Sequence, residues 1–232
     1  MNFEKYINSR WFIFFNFLYK IVVLSLIFFL MSLFGILIFT MIASGIAVIT
    51  IIKSSNDNNE LPLISSFWLI FKKCFLKSLI ISLILFLIIF LFAFNTYYFY
   101  LLTKETKLLY SYIALYITIG LDIIALSTLI MIMLVSVYFP YLKILNTIKY
   151  SLMMLFAFPL AFFMLIGLII VFFVMGFLFP YIIPMILPGL FLYFVFLIYD
   201  FRLMRLVSSD GILPLNAFQF LNEYRSKKKT KK

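Results

Sequence analysis

The run WFIFFNFLYKIVVLSLIFFLMSLFGILIFTMIASGIAVITII, from Trp11 to Ile52, contains a single charged residue, Lys20. As a helix, Ile21–Ile52 alone would be about 48 Å long, whereas the hydrocarbon core of a bilayer is about 30 Å thick. The run therefore predicts either one long transmembrane helix that extends into the interface or a hairpin of two short spans. We favour the single span, because the MSLFG sequence of Met31–Gly35 is a poor turn.

The composition of the whole chain is that of an integral membrane protein. Of its 232 residues, 66% are hydrophobic and 12% are charged, and the mean hydropathy is +1.21. Soluble proteins contain about 45–50% apolar and about 25% charged residues, which excludes a soluble domain. We predict an all-α integral membrane protein, with a single transmembrane domain over residues 1–210 and a basic cytoplasmic tail over residues 211–232.

Apolar runs bounded by charges and prolines predict five transmembrane helices, or six if the first run is a hairpin. The runs are Trp11–Ile52, Ser78–Phe99, Leu108–Phe139, Pro159–Phe179 and Tyr181–Leu206. Three prolines recur at four-residue spacing near the start of the fifth run, at positions 180, 184 and 188. Proline removes a hydrogen bond from a helix interior, so we expect a bend there.

Two further stretches predict amphipathic helices that lie on the cytoplasmic face of the membrane. In Pro62–Lys77, apolar residues recur at the spacing of one helix face, namely Phe67, Ile70, Phe71, Cys74 and Phe75. Tyr141–Phe158 shows the same pattern more weakly, with Ile144, Ile148, Leu152 and Leu155 on one stripe. We therefore expect cytoplasmic interfacial helices in addition to the transmembrane spans.

The net charge of +11 predicts the orientation of the chain in a cell membrane. With five spans, 14 of the 19 Lys and Arg residues lie on the side of the C-terminus and 5 on the other side. Cytoplasmic loops carry the excess of positive charge, so we place the C-terminus inside and the N-terminus outside, and six spans would bring both inside. Contact with anionic lipid is expected for the lysines near the C-terminus, namely Lys227, Lys228, Lys229, Lys231 and Lys232. No nucleic-acid partner is expected.

Residue usage removes most catalytic and cofactor chemistry. The chain has no histidine, one cysteine (Cys74) and eight acidic residues. Imidazole metal sites, disulfides and histidine-based triads are therefore impossible within it, and a carboxylate metal cage is not expected. We predict no catalytic residue, no bound cofactor and no metal, and a membrane-embedded enzyme is the least favoured class.

Asp122 is the polar residue that stands out within the apolar runs. It lies about midway along Leu108–Phe139, where a lone carboxylate costs roughly 2.5–3.5 kcal/mol on insertion scales. We expect it to face the bundle interior, either bonded between helices or marking a solute path. Asn16 and Asn95, at the outer ends of the first two spans, could bond across helices or line an outward-facing pocket. Asp200 is expected to pair with its neighbours Arg202 and Arg205.

The order of these features resembles the YesL-like family of small bacterial membrane proteins with no assigned function. The similar pieces are Asn16-Phe17-Leu18, the stretch from Pro62 to Phe75 and the stretch Tyr141–Pro159. The family commonly has a proline-containing turn after its first span, which Ile42–Ala47 lacks. The resemblance implies an accessory role near carbohydrate transport and no catalytic residue.

These observations favour a non-enzymatic multi-pass membrane protein, an accessory or assembly component linked to bacterial carbohydrate uptake. Its expected partners are the lipid bilayer and subunits of a transport complex. The alternative is a small transporter or channel that uses Asp122 at the bilayer midplane. A continuous polar cavity that reaches Asp122 would favour the alternative, and a buried Asp122 without a cavity would favour the accessory role.

Overall fold

The computed structural model describes residues 10–35, 38–56, 62–210, 214–217 and 222, and these residues form helices and short connections without a strand. The helices are α1 (Arg10–Phe34), α2 (Ile38–Asn56), α3 (Leu63–Thr106), α4 (Leu109–Tyr138), α5 (Ile144–Ala157), α6 (Pro159–Leu178), α7 (Ile182–Met185) and α8 (Leu187–Asp210). The all-α prediction is confirmed for this part of the chain.

Four helices in the described ranges are long and apolar enough to cross a membrane. They cover Trp11–Leu33, Leu63–Thr106, Leu109–Tyr138 and Pro159–Leu178. Two shorter apolar helices, Phe39–Ser55 and Ile144–Ala157, accompany them. The chain therefore has the helices of a membrane protein.

The first apolar run is not one helix, so the expectation of one long helix over Trp11–Ile52 is wrong. Helix α1 ends at Phe34, a turn follows at Gly35, and α2 begins at Ile38. The reversal is stabilised by Thr40, whose hydroxyl donates a hydrogen bond to the Met31 carbonyl (2.9 Å), and by the Gly35 N–H, which bonds to the same oxygen (3.2 Å). The Thr40 hydroxyl thus stabilises a reversal that the MSLFG sequence, a poor turn by itself, did not predict.

Helix α2 is the centre of the bundle. It packs against α1, α3, α4 and α8, and its side chains from Ile42 to Ile51 are almost completely buried on every face. The small residues Ala43, Gly45 and Ala47 allow this close approach, because a Cβ atom at Gly45 would lie 2.3 Å from the sulfur of Met133. The interior of the bundle is therefore filled by one helix.

Because α1 and α2 form a hairpin, the start of α1 lies at the same end of the bundle as the C-terminal residues. The Lys20 ammonium donates to the Ser55 hydroxyl (2.8 Å), and the Ala217 N–H donates to the hydroxyl of the adjacent Ser54 (3.1 Å). We call this the terminal end of the bundle, and the end that contains Gly35 the far end. The start of α1 and residues 214–217 therefore lie at one end of the bundle.

The interfacial helix expected over Pro62–Lys77 is not a separate element. It is the first part of α3, which continues without a break for 44 residues, about 66 Å at 1.5 Å per residue. The predicted apolar face is confirmed, since Phe67, Ile70 and Phe71 are buried while Lys72 and Lys73 are exposed. Nothing between Pro62 and Thr106 breaks the helix, because this stretch has no internal proline or glycine.

The second predicted interfacial stretch does form a short separate helix, α5. Its buried residues are Thr147, Ser151 and Leu155, whereas Leu152, which was expected on the apolar stripe, is exposed. The buried face can carry two hydroxyls because each one bonds to a carbonyl one turn earlier in the same helix.

The proline-rich segment breaks the fifth run into a turn, the single-turn helix α7 and helix α8, so a simple bend is not what forms there. Ser25 of α1 supports the start of α8. Its hydroxyl donates to the Ile186 carbonyl (3.1 Å) and accepts from the Gly189 N–H (2.9 Å). The first N–H groups of a helix have no partner within it, and Ser25 supplies one from a neighbouring helix.

Candidate functional site

Asp122 lies on the contact between α3 and α4, half-buried, and accepts a hydrogen bond from the Thr96 hydroxyl (2.7 Å). Thr96 is on α3 and Asp122 is on α4, so the bond joins two antiparallel helices at membrane depth. Cavities of about 480, 240 and 40 Å³ are present in the described bundle, and Asp122 lines none of these three.

We expect the Thr96–Asp122 bond to contribute a small coupling to stability. In a double-mutant cycle with Thr96→Val and Asp122→Ala, the coupling should be about 0.6 kcal/mol and at most about 1.7 kcal/mol, as for other interhelical bonds in membranes. Unfolding midpoints of the four variants in one detergent would measure it. A coupling of zero would mean that the hydrogen bond between Thr96 and Asp122 does not contribute to stability.

Asn16 lies at the other end of the bundle from Asn95, and neither contacts Asp122. Asn16 is at the terminal end, beside Lys20 and the start of α3. With a single first span it was predicted at the end of the bundle away from the start of α3, and that position is wrong. The cause is again the reversal at Gly35. Asn95 is exposed on α3, directly before Thr96. The three predicted polar residues therefore do not form one site.

A polar cluster at the terminal end joins α2, α4 and α8. The hydroxyl of Tyr138, which is fully buried, donates to the Asp200 carboxylate, and the Lys53 ammonium lies 4.1 Å from the centre of the Tyr138 ring. The expected partners of Asp200 are instead placed over aromatic rings, with Arg202 6.0 Å from the Phe158 centroid. Tyr138 takes the place of the arginines because it ends α4 beside α8.

Residues 214–217 close the terminal end over this cluster. The Leu215 N–H donates to the Val137 carbonyl (2.8 Å), and Ala217 is fully buried with its N–H on Ser54. The last carbonyls of a helix have no partner within it, so Leu215 satisfies one at the end of α4. These residues belong to the tail predicted from residue 211 onwards, yet they pack on the bundle. The lysines at 227–232 lie outside the described residues.

Lys77 fastens α3 to the connection between α4 and α5. Its ammonium donates to the carbonyls of Pro140 (3.2 Å) and Leu142 (2.7 Å). Both carbonyls lie in a connection where they have no helical partner, and a lysine has three protons to donate. Lys77 therefore acts as a structural contact at the terminal end.

The largest of the three cavities also lies at the terminal end, between α1 and the start of α3. Its volume is about 480 Å³, and its polar lining residues are Asn16, Tyr19, Lys20 and Ser65. We call it the α1–α3 cavity. Within the described ranges, no three His, Cys, Asp or Glu side chains are placed to hold a metal ion. The chemistry available in the cavity is hydrogen bonding and one positive charge.

A family model described as "Protein of unknown function, DUF624" matches residues 21–96, which are 76 of the 232 residues. The match covers the second half of α1, all of α2 and α3 as far as Thr96. It is consistent with the resemblance to the YesL-like family. No curated protein and no solved structure matches the chain.

Sequence reasoning missed Ser25, Ser54 and Tyr138, which make contacts between helices. Apart from the buried tyrosines, every buried polar or charged side chain in the described residues is a serine or a threonine. About half of these hydroxyls bond to a carbonyl within or just before their own helix, so composition alone does not separate Ser25 from Ser44, which bonds only to carbonyls of α2.

Proposed function

We propose that this protein is a non-enzymatic accessory or assembly component of a membrane transport system for bacterial carbohydrate uptake. The observation that carries the proposal is the filled core, because α2 occupies the centre of the bundle with Ile42–Ile51 buried on all sides. A solute path needs a wet passage lined by polar groups. The assignment to carbohydrate uptake rests on the family resemblance alone.

The state of Asp122 supports the accessory role over a transporter. Its carboxylate accepts a hydrogen bond from Thr96, and the cavities of about 480, 240 and 40 Å³ are lined by other residues. An ionisable residue within a membrane is a functional candidate by default, but one that bonds two helices together also has a structural reason to be there.

The terminal end offers the surface on which a partner could bind. Exposed aromatic residues lie near its lysines, with Trp68 under the Lys72 ammonium at 5.1 Å and Tyr141 84% exposed. Tyrosine and tryptophan are enriched at protein interfaces and among the residues that dominate their binding energy. We propose that subunits of the transport complex contact this end.

We also propose six membrane crossings, by α1, α2, α3, α4, α6 and α8, with both termini in the cytoplasm. If residues before α1 and after α8 are counted with the helix ends they adjoin, 17 of 19 Lys and Arg residues fall at the terminal end and 2, Lys104 and Lys107, at the far end. This is a larger asymmetry than the 14 to 5 of five spans, and the positive-inside rule favours it.

A labelling experiment tests this orientation. In a Cys74→Ala background, cysteines at Ser9 and Ser226 should both resist a membrane-impermeant thiol reagent added to intact cells, and a cysteine at Lys107 should react. Permeabilised cells provide the control, since all three positions should then react. Labelling of the cysteine at position 9 but not of the one at position 226 in intact cells would contradict six spans and support five.

Co-purification from native membranes tests the accessory role. The tagged full-length protein should enrich subunits of a carbohydrate transport system over an unrelated multi-pass protein, as identified by mass spectrometry. Trp68→Ala with Tyr141→Ala should reduce that enrichment. Phe177→Ala is the matched control, because Phe177 is an aromatic residue 82% exposed near the far end of α6. Absence of transport subunits from the wild-type sample would contradict the proposal.

A further inference from the structure

We propose that the α1–α3 cavity binds a phosphate group, carried either by a membrane lipid or by a soluble phosphate ester. The cavity has about 480 Å³, within the range of about 300–1,000 Å³ of small-molecule sites. Its described lining contains the ammonium of Lys20, the amide of Asn16 and the hydroxyls of Tyr19 and Ser65, and it contains no carboxylate. Such a lining attracts an anion that accepts several hydrogen bonds.

Lys20 is held in place for this role. Its ammonium donates one hydrogen bond to Ser55 on α2, at 2.8 Å, and the side chain is half-buried. An ammonium group has three protons to donate, so the bond to Ser55 fixes its position and leaves capacity for an anion. Charge-assisted hydrogen bonds of this kind are about twice as strong as neutral ones.

The start of α3 contributes to the same cavity from a distant part of the sequence. Pro62 caps the helix without a side-chain hydrogen bond, and the first N–H to bond within it belongs to Ser66, which donates to the Pro62 carbonyl (3.0 Å). Leu63, Ile64 and Ser65 line the cavity, and their N–H groups have no carbonyl partner within α3. Unpaired N–H groups and the helix dipole add to the attraction that Lys20 exerts on an anion.

An apolar cleft adjoins the polar cavity. A small cavity of about 40 Å³ shares Lys20 and Leu63 with it and is lined otherwise mainly by apolar residues of α1, α2 and α8, among them Phe17, Leu24 and Ile51. This cleft is too small to hold an acyl chain, so a lipid would place its chains on the outer apolar surface of the bundle. The same phosphate chemistry occurs in a soluble ester, so the experiment includes both sources.

The test measures binding to the purified, delipidated full-length protein in a neutral detergent. The probes are phosphatidylglycerol, followed by native mass spectrometry, and glycerol 1-phosphate, followed by calorimetric titration. Lys20→Gln should weaken binding about tenfold or more, as expected for the loss of a charge-assisted hydrogen bond. Lys72→Gln removes the same charge from the exposed surface of α3 and should change affinity by less than about twofold.

Ser65→Asp separates ligand loss from unfolding. An acidic residue in the first turn of a helix is favourable, so the melting temperature should not fall, while the new carboxylate should repel phosphate and abolish binding. Binding of both probes would mean that the phosphate suffices, and binding of the lipid alone would mean that the acyl chains are also needed. Three results would overturn the proposal. They are a wild type that binds neither probe, Lys20→Gln and Ser65→Asp variants that bind as tightly as the wild type, and a Lys72→Gln variant that loses as much affinity as Lys20→Gln.

Discussion

Replacing Gly189 by alanine is expected to lower the stability of the protein by about 1–3 kcal/mol, the usual cost of forcing extra volume into a packed contact. An added Cβ atom would lie 2.4 Å from the Ser25 hydroxyl oxygen and 2.8 Å from the backbone oxygen of Ile21. The backbone oxygen cannot rotate away as a flexible side chain can. Helices α1 and α8 would have to separate, and the bond from the Gly189 N–H to Ser25 would weaken.

The matched control changes the sign of the effect. Gly167 lies within α6, and a Cβ atom there would meet nothing within 4 Å. Alanine is favoured over glycine inside a helix by about 0.5–1 kcal/mol, so Gly167→Ala should raise the unfolding midpoint. Thermal unfolding of both variants in one detergent measures the difference. Equal midpoints for the two variants would mean that the approach of α8 to α1 is not as close as described.

The second large effect is expected at the reversal between α1 and α2. A Cβ atom on Gly35 would lie 2.0 Å from Cγ2 and 2.7 Å from Cβ of Thr40. The Cβ atom of Thr40 moves only with its backbone, so Gly35→Ala should displace the start of α2 and cost about 1–3 kcal/mol. The hydrogen bond from Thr40 to Met31 would be disturbed as well.

A double-mutant cycle checks this explanation. Thr40→Gly removes the clashing atoms, so it should destabilise the wild type by loss of its bond and yet recover part of the stability lost in Gly35→Ala. The expected coupling is about 0.5–3 kcal/mol, as for residues in contact. Additive effects of the two substitutions would show that Gly35 and Thr40 do not touch.

Hydropathy and spacing were sufficient to predict the helical class and the apolar face of early α3. Phe67, Ile70 and Phe71 are buried as the helical period requires. Spacing did not reveal the reversal at Gly35, because a hydrophobic run looks the same whether it forms one helix or two. What decides between them is the contact of Thr40 with Met31, which exists only after the chain has turned.

The hydrogen-bond partners of the polar residues could not be predicted from the sequence for a related reason. Asp200 has arginines two and five residues further along the chain, yet it bonds to Tyr138, 62 residues away. Neighbours in sequence are at hand in any conformation, whereas Tyr138 is brought to α8 only by the packing of α4. The cost of a lipid-facing carboxylate predicts that Asp122 faces the bundle interior. The residue lies half-buried on the contact between α3 and α4, and its partner Thr96 was not predicted.

Solute flux through the purified protein is the most direct test of the claim that it assists transport without carrying a solute itself. The wild type and Asp122→Asn would be reconstituted in lipid vesicles and assayed with radiolabelled mono- and disaccharides and with a pH-sensitive dye for protons. We expect flux no greater than in protein-free vesicles for both proteins. Flux in the wild type that is lost in Asp122→Asn, with an unchanged unfolding midpoint, would contradict the account and establish a transporter that works through Asp122.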